Sequence, residues 1–340
     1  MSSPRRPTSF DIAALAGVSQ PTVSRALSGS PSVSAETRAR VLAAAKDLNY
    51  IVDKNASGLR RQTSRTIALL FFEDPTPDDS LINPFYLSMV GSLTRSCAQA
   101  GFDLLISFQQ SSSDWHVDYE DSRKADGILL LGYGDYVVAR PRLEQLVRQG
   151  THFVRWGEPR AGEVGTTVGS DNELGGYLAA RHLIERGRRA IAFLGTVSAG
   201  APEFAERWAG FKRALDEAGL SHDDRLVIDA IPTEESGRRA ALHLLEQHVP
   251  FDAIFATSDL AALGAMRALH DARIDVPGDV SIVGFDNLVA AQLSEPPLTT
   301  IAQDSRQAAE ALVETLVAKI EEREPKSVLL PVRLVVRATS

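Results

Sequence analysis

The sequence predicts an all-α amino-terminal head followed by an α/β core of two doubly wound parallel sheets. Three observations carry this. Three short helical patterns fill the first 50 residues, and from Thr66 onward short β-rich runs alternate with amphipathic helices. The alternating stretch is roughly 270 residues, long for one such sheet and natural for two sub-domains.

Within the head, Ile12, Ala13, Leu15 and Ala16 recur at helical spacing over 10–16, and Gly17 ends the run where a tight turn needs a residue tolerant of positive φ. Ser19 is placed to cap a second helix over 20–27, with Pro21 in its first turn, where backbone N–H groups lack intrahelical partners. A loop of Gly29, Ser30, Pro31 and Ser32 follows. Ser34 then caps a third helix over 35–49, expected to bury Val41, Leu42, Ala45 and Leu48. Two short helices joined by a glycine-containing turn and braced by a third read as a helix-turn-helix unit.

In the core, strands are expected at 67–72, 103–107, 127–131, 152–156, 190–194, 225–229, 253–256 and 280–285. Helices are expected over 84–100, 142–149, 173–186, 202–218, 234–247 and 260–271. The chain is expected to cross between lobes near 157–171, which is rich in Gly, Pro and Thr, and again near 287–304 and 323–330.

With 44% hydrophobic and 24% charged residues the chain can bury a full core, which excludes disordered and collagen-like classes. Its single cysteine, Cys97, excludes an internally disulfide-stapled secreted domain and a CxxC zinc or redox site. No apolar run approaches the roughly 20 residues that cross a bilayer, and no apolar export segment follows the charged amino terminus, so a cytoplasmic protein is expected. The net charge of −8 hides an asymmetry: residues 1–65 hold ten basic and four acidic residues, a net of +6, which leaves −14 on the remainder. A basic head on an acidic body suits a head that meets a polyanion while the body stays off it.

The stretch 11–50, DIAALAGVSQPTVSRALSGSPSVSAETRARVLAAAKDLNY, resembles the DNA-binding headpiece of the lac repressor family of bacterial transcription regulators. The resemblance continues in family order through Asn-Pro-Phe-Tyr at 83–86, Gly-Ser-Asp-Asn at 169–172, Trp-Ala-Gly-Phe at 208–211 and Ser-Asp-Leu-Ala-Ala-Leu-Gly-Ala-Met at 258–266. It then runs through Val-Gly-Phe-Asp-Asn at 283–287, Leu-Thr-Thr-Ile at 298–301 and Leu-Pro-Val-Arg-Leu-Val-Val-Arg at 330–337. The resemblance implies a headpiece over 1–52, a hinge over 53–65 and a two-lobed core over 66–340 like a periplasmic sugar-binding protein. It implies a sequence-specific regulator, a repressor of carbohydrate-use genes, whose operator affinity is changed by a small sugar between the lobes, with a purine or another metabolite as the alternative. The implied partners are operator double-stranded DNA, the effector and a second copy of the chain; no cofactor and no membrane are expected. No leucine heptad follows 330–337, so dimers rather than tetramers are expected.

A recognition helix lying in the major groove offers its first turn to base edges, which selects Gln20, Pro21 and Arg25. Gln can bridge adenine and Arg guanine, each worth roughly 1–3 kcal/mol of discrimination. Thr22, Ser24 and the N–H groups near Ser19 would hold phosphates. By alignment with the family's hinge, Leu59 is the side chain wedged between base pairs from the minor groove and Ala56 packs beside it. Val52 and Asp53 depart from the family's usual proline and asparagine, which loosens entry into the hinge.

By motif position the resemblance places an effector clamp at Arg207 and Asp286, the latter at the carboxyl end of a strand, where open α/β sheets present ligand-binding groups. One fixed charge of each sign suits adjacent hydroxyls of a neutral polyol. Phe85 and Tyr86 would cover an apolar face, with Asp171 and Ser258 as further polar contacts. Ile231 and Pro232 stand where relatives often carry a stacking aromatic, which leaves the sugar weakly defined, an α-glucoside being the first guess.

Three other signals carry less. Residues 195–200 have P-loop-like glycines but continue with Ala201 instead of Lys. Asp114, His116, Asp118, Glu120 and Asp121 read as a solvated face rather than a metal site, and His243 and His248 lack HExxH spacing. No assembled catalytic constellation is present, so no enzyme is expected. A transport-type sugar-binding protein would share the core but not the head.

Overall fold

The computed structural model describes residues 7–27, 30–48, 50, 63–71, 82–108, 114–132, 135–160, 162–198 and 200–340. The chain divides between Ser64 and Arg65 into two compact units.

The first unit holds α1 (Ser9–Ala16), α2 (Gln20–Leu27) and α3 (Ala35–Asp47). Asp11 closes the start of α1 by accepting the Thr8 N–H at 2.7 Å, and Gly17 ends it at φ +64°. Ser34 caps α3 by accepting the Thr37 N–H at 3.3 Å. Ile12, Ala16, Val23, Ala26, Val41, Ala44 and Ala45 form the core. Leu42, expected inside, is 51% exposed, and Leu15, which shares the helical spacing of the first run, is 54% exposed. Helices this short share a core one side chain deep, so only one stripe of each is covered and these leucines fall on the other side.

In the second unit, β1 (Thr66–Phe71), β2 (Asp103–Phe108), β3 (Gly127–Leu131), β4 (Phe153–Trp156), β5 (Thr166–Ser170) and β11 (Val328–Leu330) form one all-parallel sheet ordered β11-β5-β4-β3-β1-β2. The other sheet is ordered β12-β10-β9-β8-β6-β7, from β6 (Ile191–Leu194), β7 (Val227–Ile228), β8 (Ala253–Ala256), β9 (Ser281–Asp286), β10 (Thr299–Ala302) and β12 (Arg333–Val335). It is parallel except for β12, which runs antiparallel to β10. Helices α4 (Pro84–Gln99) and α11 (Ser305–Ile320) cover one face of the first sheet, and α5 (Tyr136–Gln149) the opposite face. On the second sheet, α6 (Asn172–Glu185) and α7 (Pro202–Glu217) take one face and α8 (Glu234–Glu246) and α9 (Asp259–Asp271) the other, with the short α10 (Val289–Leu293) beyond β9. These are two doubly wound lobes whose central strands are helix-covered and buried on both faces, as parallel sheets require, while the edge strands β2, β7, β11 and β12 are partly exposed.

Several expectations shift. Residues 166–170 and 299–302 are strands inside stretches read as crossings, because buried threonines satisfied by a ladder look like turn composition in one dimension. The chain leaves the first lobe only after Ser170, returns at Gln303–Asp304, and crosses last at Pro331–Val332, just beyond the expected 323–330. Helix α11 is missing from the sequence reading although Asp304 caps it and Ala308, Leu312 and Leu316 recur at helical spacing. Helix α5 begins six residues early, since Asp135 caps it by accepting Val137 and Val138 N–H groups and Pro141 falls within two turns of the start. The strand at 225–229 shrinks to Val227–Ile228 behind a 3₁₀ turn. The acidic cluster is not merely a solvated face: Asp114 accepts from Gln145 and Gln149 at 2.9 and 2.8 Å, and Glu120 accepts the His152 N–H at 2.6 Å. Among the described residues no group of metal-ligating side chains is assembled.

Both helix pairs of the second lobe cross backbone to backbone. A methyl at Gly176 of α6 would collide with the Arg207 carbonyl of α7, and one at Gly210 with the Glu173 carbonyl of α6. Gly237 of α8 and Gly264 of α9 meet Ala261 and Glu234 in the same reciprocal way. Gly176→Ala is expected to cost about 1–3 kcal/mol through overpacking, read as a lower urea midpoint with unchanged slope.

Candidate functional site

In the head, α2 carries the residues expected to meet DNA. Ser19, Pro21 and Arg25 are exposed, and Gln20, Thr22 and Ser24 are half-buried. Ser19 Oγ lies 2.8 Å from Thr22 Oγ1, so these two hydroxyls organise the first turn together. Gln20 Nε2 donates to Ser9 Oγ at 3.2 Å, so its amide must leave α1 to reach a base. Ala56 and Leu59 lie outside the described residues.

In the core, parallel strands deliver polar groups to one place. The loop after β4 brings Glu158, the end of β5 brings Asn172, β8 leads to Thr257 and Ser258, β9 ends on Asp286, and β10 leads to Gln303. All follow carboxyl ends of strands, the edge where open α/β sheets bind ligands. A cavity of about 640 Å³ opens between the lobes, lined among others by Phe85, Ser88, Asp286, Asn287, Gln303 and Pro331.

Of the residues expected at the effector site, Phe85 and Asp286 line this cavity. Phe85 opens α4, where Asn83 Oδ1 accepts its N–H at 2.9 Å, and its ring packs 5.9 Å from that of Trp156. Tyr86 is buried in the first-lobe core and does not line the cavity. Asp171 and Ser258 serve as helix caps: Asp171 Oδ1 accepts Leu174 N–H at 2.9 Å, and Ser258 Oγ accepts Ala261 N–H at 3.2 Å. Arg207 does not line the cavity. It is 1% exposed, with Nε donating to Asn172 Oδ1 at 2.9 Å, a further bond to the Thr257 carbonyl, and its guanidinium 3.6 Å over the Phe285 ring.

Asp286 sits at φ +114°, a conformation that side chains rarely adopt, and Asn287 follows at +59°. Its Oδ1 accepts from Gln303 Nε2 at 2.6 Å, while Oδ2 is buried with no hydrogen-bond partner. Burial pushes its pKa up to about 7 against the opposing pull of Arg207 and Gln303. Asp259 behind it is raised too, by burial and by the Asp286 charge, and is held by Thr300 Oγ1 at 2.5 Å and Leu288 N–H at 2.7 Å. A buried acceptor oxygen without a donor, at the wall of a cavity, is suited to a ligand hydroxyl or N–H.

Asn172, Gln303 and Glu158 were not anticipated as site residues. Asn172 ends the Gly-Ser-Asp-Asn motif and Gln303 stands two residues beyond Leu-Thr-Thr-Ile, so the position of both just past a strand end is a signal that could have found them. Glu158 is 7% exposed, and burial pushes it up to about 7 although the Asn172 hydrogen bond opposes this. Its carboxyl holds a proton up to about 7 in the folded chain and releases it near 4.5 when unfolded. Folding therefore favours the protonated form, and the contribution is lost as pH rises through this window. Stability should fall between pH 5 and 8 by up to about 3 kcal/mol from this group. Glu158→Gln should flatten the slope of urea midpoint against pH; an equally steep fall in the variant would rule this out.

Two family models match the chain: bacterial regulatory proteins of the lacI family over residues 10–53, and the periplasmic binding protein-like domain over 180–340. The HTH-type transcriptional regulator CelR of Thermobifida fusca is 34% identical over 343 residues, covering 98% of each chain. The regulator GalR of Escherichia coli K12 is 31% identical over 296 residues, 86% of this chain and 82% of that one. Among solved structures, a CelR–cellobiose complex aligns at a TM-score of 0.74 and 31% identity over 98% of this chain and all of that one. The lac repressor dimer bound to operator and the anti-inducer ONPF aligns at 0.83 and 25% identity over 98% and 99%. The chain belongs to the lacI family of bacterial regulatory proteins and is a DNA-binding transcriptional regulator of the helix-turn-helix type.

Proposed function

We propose that this regulator is an operator-binding repressor of carbohydrate-use genes, controlled by a neutral sugar held between the lobes of a homodimer's cores. The observation that carries the effector reading is the inter-lobe cavity with Asp286 Oδ2 buried and unpartnered at its wall. Sugar hydroxyls supply the missing donor, and Phe85 offers an apolar wall for a pyranose face. An anionic effector would instead place its charge beside Asp286. The solved CelR complex holds cellobiose, which makes a glucoside a sensible first probe. The purine alternative draws support only from the PurR relatives, one of them 30% identical over 318 residues.

No catalytic role is assigned: the buried ionisable groups of the cleft are held by the amides of Asn172 and Gln303, the Thr300 hydroxyl and backbone groups. Among the described residues no helix is long and apolar enough to cross a membrane, and with a DNA-binding head this supports a cytoplasmic location. A two-fold dimer is what a palindromic operator requires of one short head per half-site. Leu293, Val289 and Leu87 are 79%, 69% and 51% exposed on the core and offer apolar surface for the partner copy.

Arg25→Ala should relax base preference at one position per half-site, a loss of roughly 1–3 kcal/mol for the preferred base only. Selection of binding sites from a random DNA pool checks this; a uniform loss across all sequences would make Arg25 a phosphate contact. Asp286→Asn should abolish the sugar response while ligand-free operator binding stays nearly intact, and Arg207→Ala should do the same, through loss of cleft organisation. The check is operator affinity with and without a panel of glucosides, galactosides and purines. Should any responsive ligand keep its full effect in both variants, the effector lies elsewhere.

A further inference from the structure

Between the lobes runs a three-residue chain of hydrogen bonds. Glu158, in the loop after β4 of the first lobe, accepts from Asn172 Nδ2 at 2.7 Å. Asn172 opens α6 of the second lobe and is 2% exposed; its Nδ2 also donates to the Ser170 carbonyl at 2.9 Å. Its Oδ1 accepts from Arg207 Nε at 2.9 Å. The amide can adopt only this orientation, because a flip would set its oxygen against a carboxylate and a carbonyl and its NH₂ against a guanidinium.

We propose that Glu158 is a positioning residue for Arg207, holding that buried guanidinium from across the cleft through the side-chain amide of Asn172. That the cleft organised around Arg207 serves an effector rests on the proposed function; the relay itself does not. Glu158 lies outside the cavity lining, so it acts on Arg207 rather than on ligand. Its loop has a separate anchor, since Arg160 pairs with Glu206 of α7 and donates to the Pro202 carbonyl at 3.1 Å. Removing the Glu158 side chain therefore breaks the relay without detaching the loop. The groups facing Glu158 are Asn172 from α6, Glu203 and Glu206 from α7, and Arg160 on its own loop. Burial chiefly, and the two glutamates in addition, make Glu158 harder to ionise, so the relay titrates near neutrality, within reach of measurement.

The test is nitrogen-detected NMR of the Arg207 Nε–H in the full chain, its resonance identified by its loss in Arg207→Lys. In Glu158→Leu this proton should exchange with solvent about tenfold faster, the equivalent of losing one hydrogen bond to a charged group. In Glu158→Gln the rate should stay near that of the parent, because the Gln carbonyl accepts the same Asn172 donor. Parental exchange in Glu158→Leu, or equal acceleration in the Leu and Gln variants, overturns the proposal. If Glu158→Leu does not fold, the Arg207 Nε shift is followed with pH in the parent, Glu158→Gln and Asp286→Asn. A step lost in Glu158→Gln and kept in Asp286→Asn supports the relay; identical titrations in parent and Glu158→Gln overturn it. Neither readout uses effector or operator, so failure here leaves the effector reading standing, and failure of the sugar titrations leaves the relay standing.

Discussion

A guanidinium that is 1% exposed must replace its hydration with fixed partners, and the cleft is organised around that demand at Arg207. Asn172 supplies a carbonyl oxygen from the start of α6, Thr257 a backbone carbonyl from the end of β8, and Phe285 a ring face from β9. Phe204, one turn earlier on α7, adds a second ring 4.9 Å away. The partners come from four elements, so displacing any one leaves a buried charge less well held. The glycine contact between Gly176 and the Arg207 backbone belongs to the same arrangement: α7 must lie close on α6 for the side chain to reach Asn172.

The second organising fact is that all three crossings run side by side. Asp171 N–H donates to the Leu330 carbonyl at 2.8 Å, which joins the first crossing to the third, and the pairing of Ala302 with Arg333 joins the second to the third. Three adjacent strands of chain at one edge of a cleft make an axis about which lobes can rotate without unfolding. The cavity opens beside this axis, with Pro331 and Gln303 in its wall. A ligand there touches both lobes near the pivot, where a small displacement gives a large change of angle. Linkage then requires reciprocity: whatever factor effector applies to operator affinity, operator applies to effector affinity.

Buried acids give the cleft its third character. Asp286, Asp259 and Glu158 are all pushed toward their protonated forms, chiefly by burial. Each resists being charged within the cleft, and Asp286 keeps one oxygen without a donor. This is stability withheld at a functional site. On the proposed reading, a ligand hydroxyl that satisfies Asp286 would recover some of it, and a neutral molecule with few contacts could then bias the position of a lobe.

The sequence by itself determined most of the elements and the order in which they follow, though not α11, β5 or β10. Helical spacing marked α1 to α3, alternation of β-rich runs and helices marked two parallel sheets, and the apolar run before it placed Asp286 at the carboxyl end of a strand. It also separated a basic head from an acidic body. These features are local or additive, so they survive projection onto one dimension. Only the tertiary structure decided that Leu15 and Leu42 face outward, that Leu330 and Arg333 belong to different sheets, and that of the core neighbours Phe85 and Tyr86 it is Phe85 that also borders the cavity. It alone joined Glu158, Asn172 and Arg207, which are 14 and 35 residues apart in sequence. Such partnerships depend on which strand lies beside which and how deeply each polar group is buried, and no residue's spacing to its own neighbours encodes either.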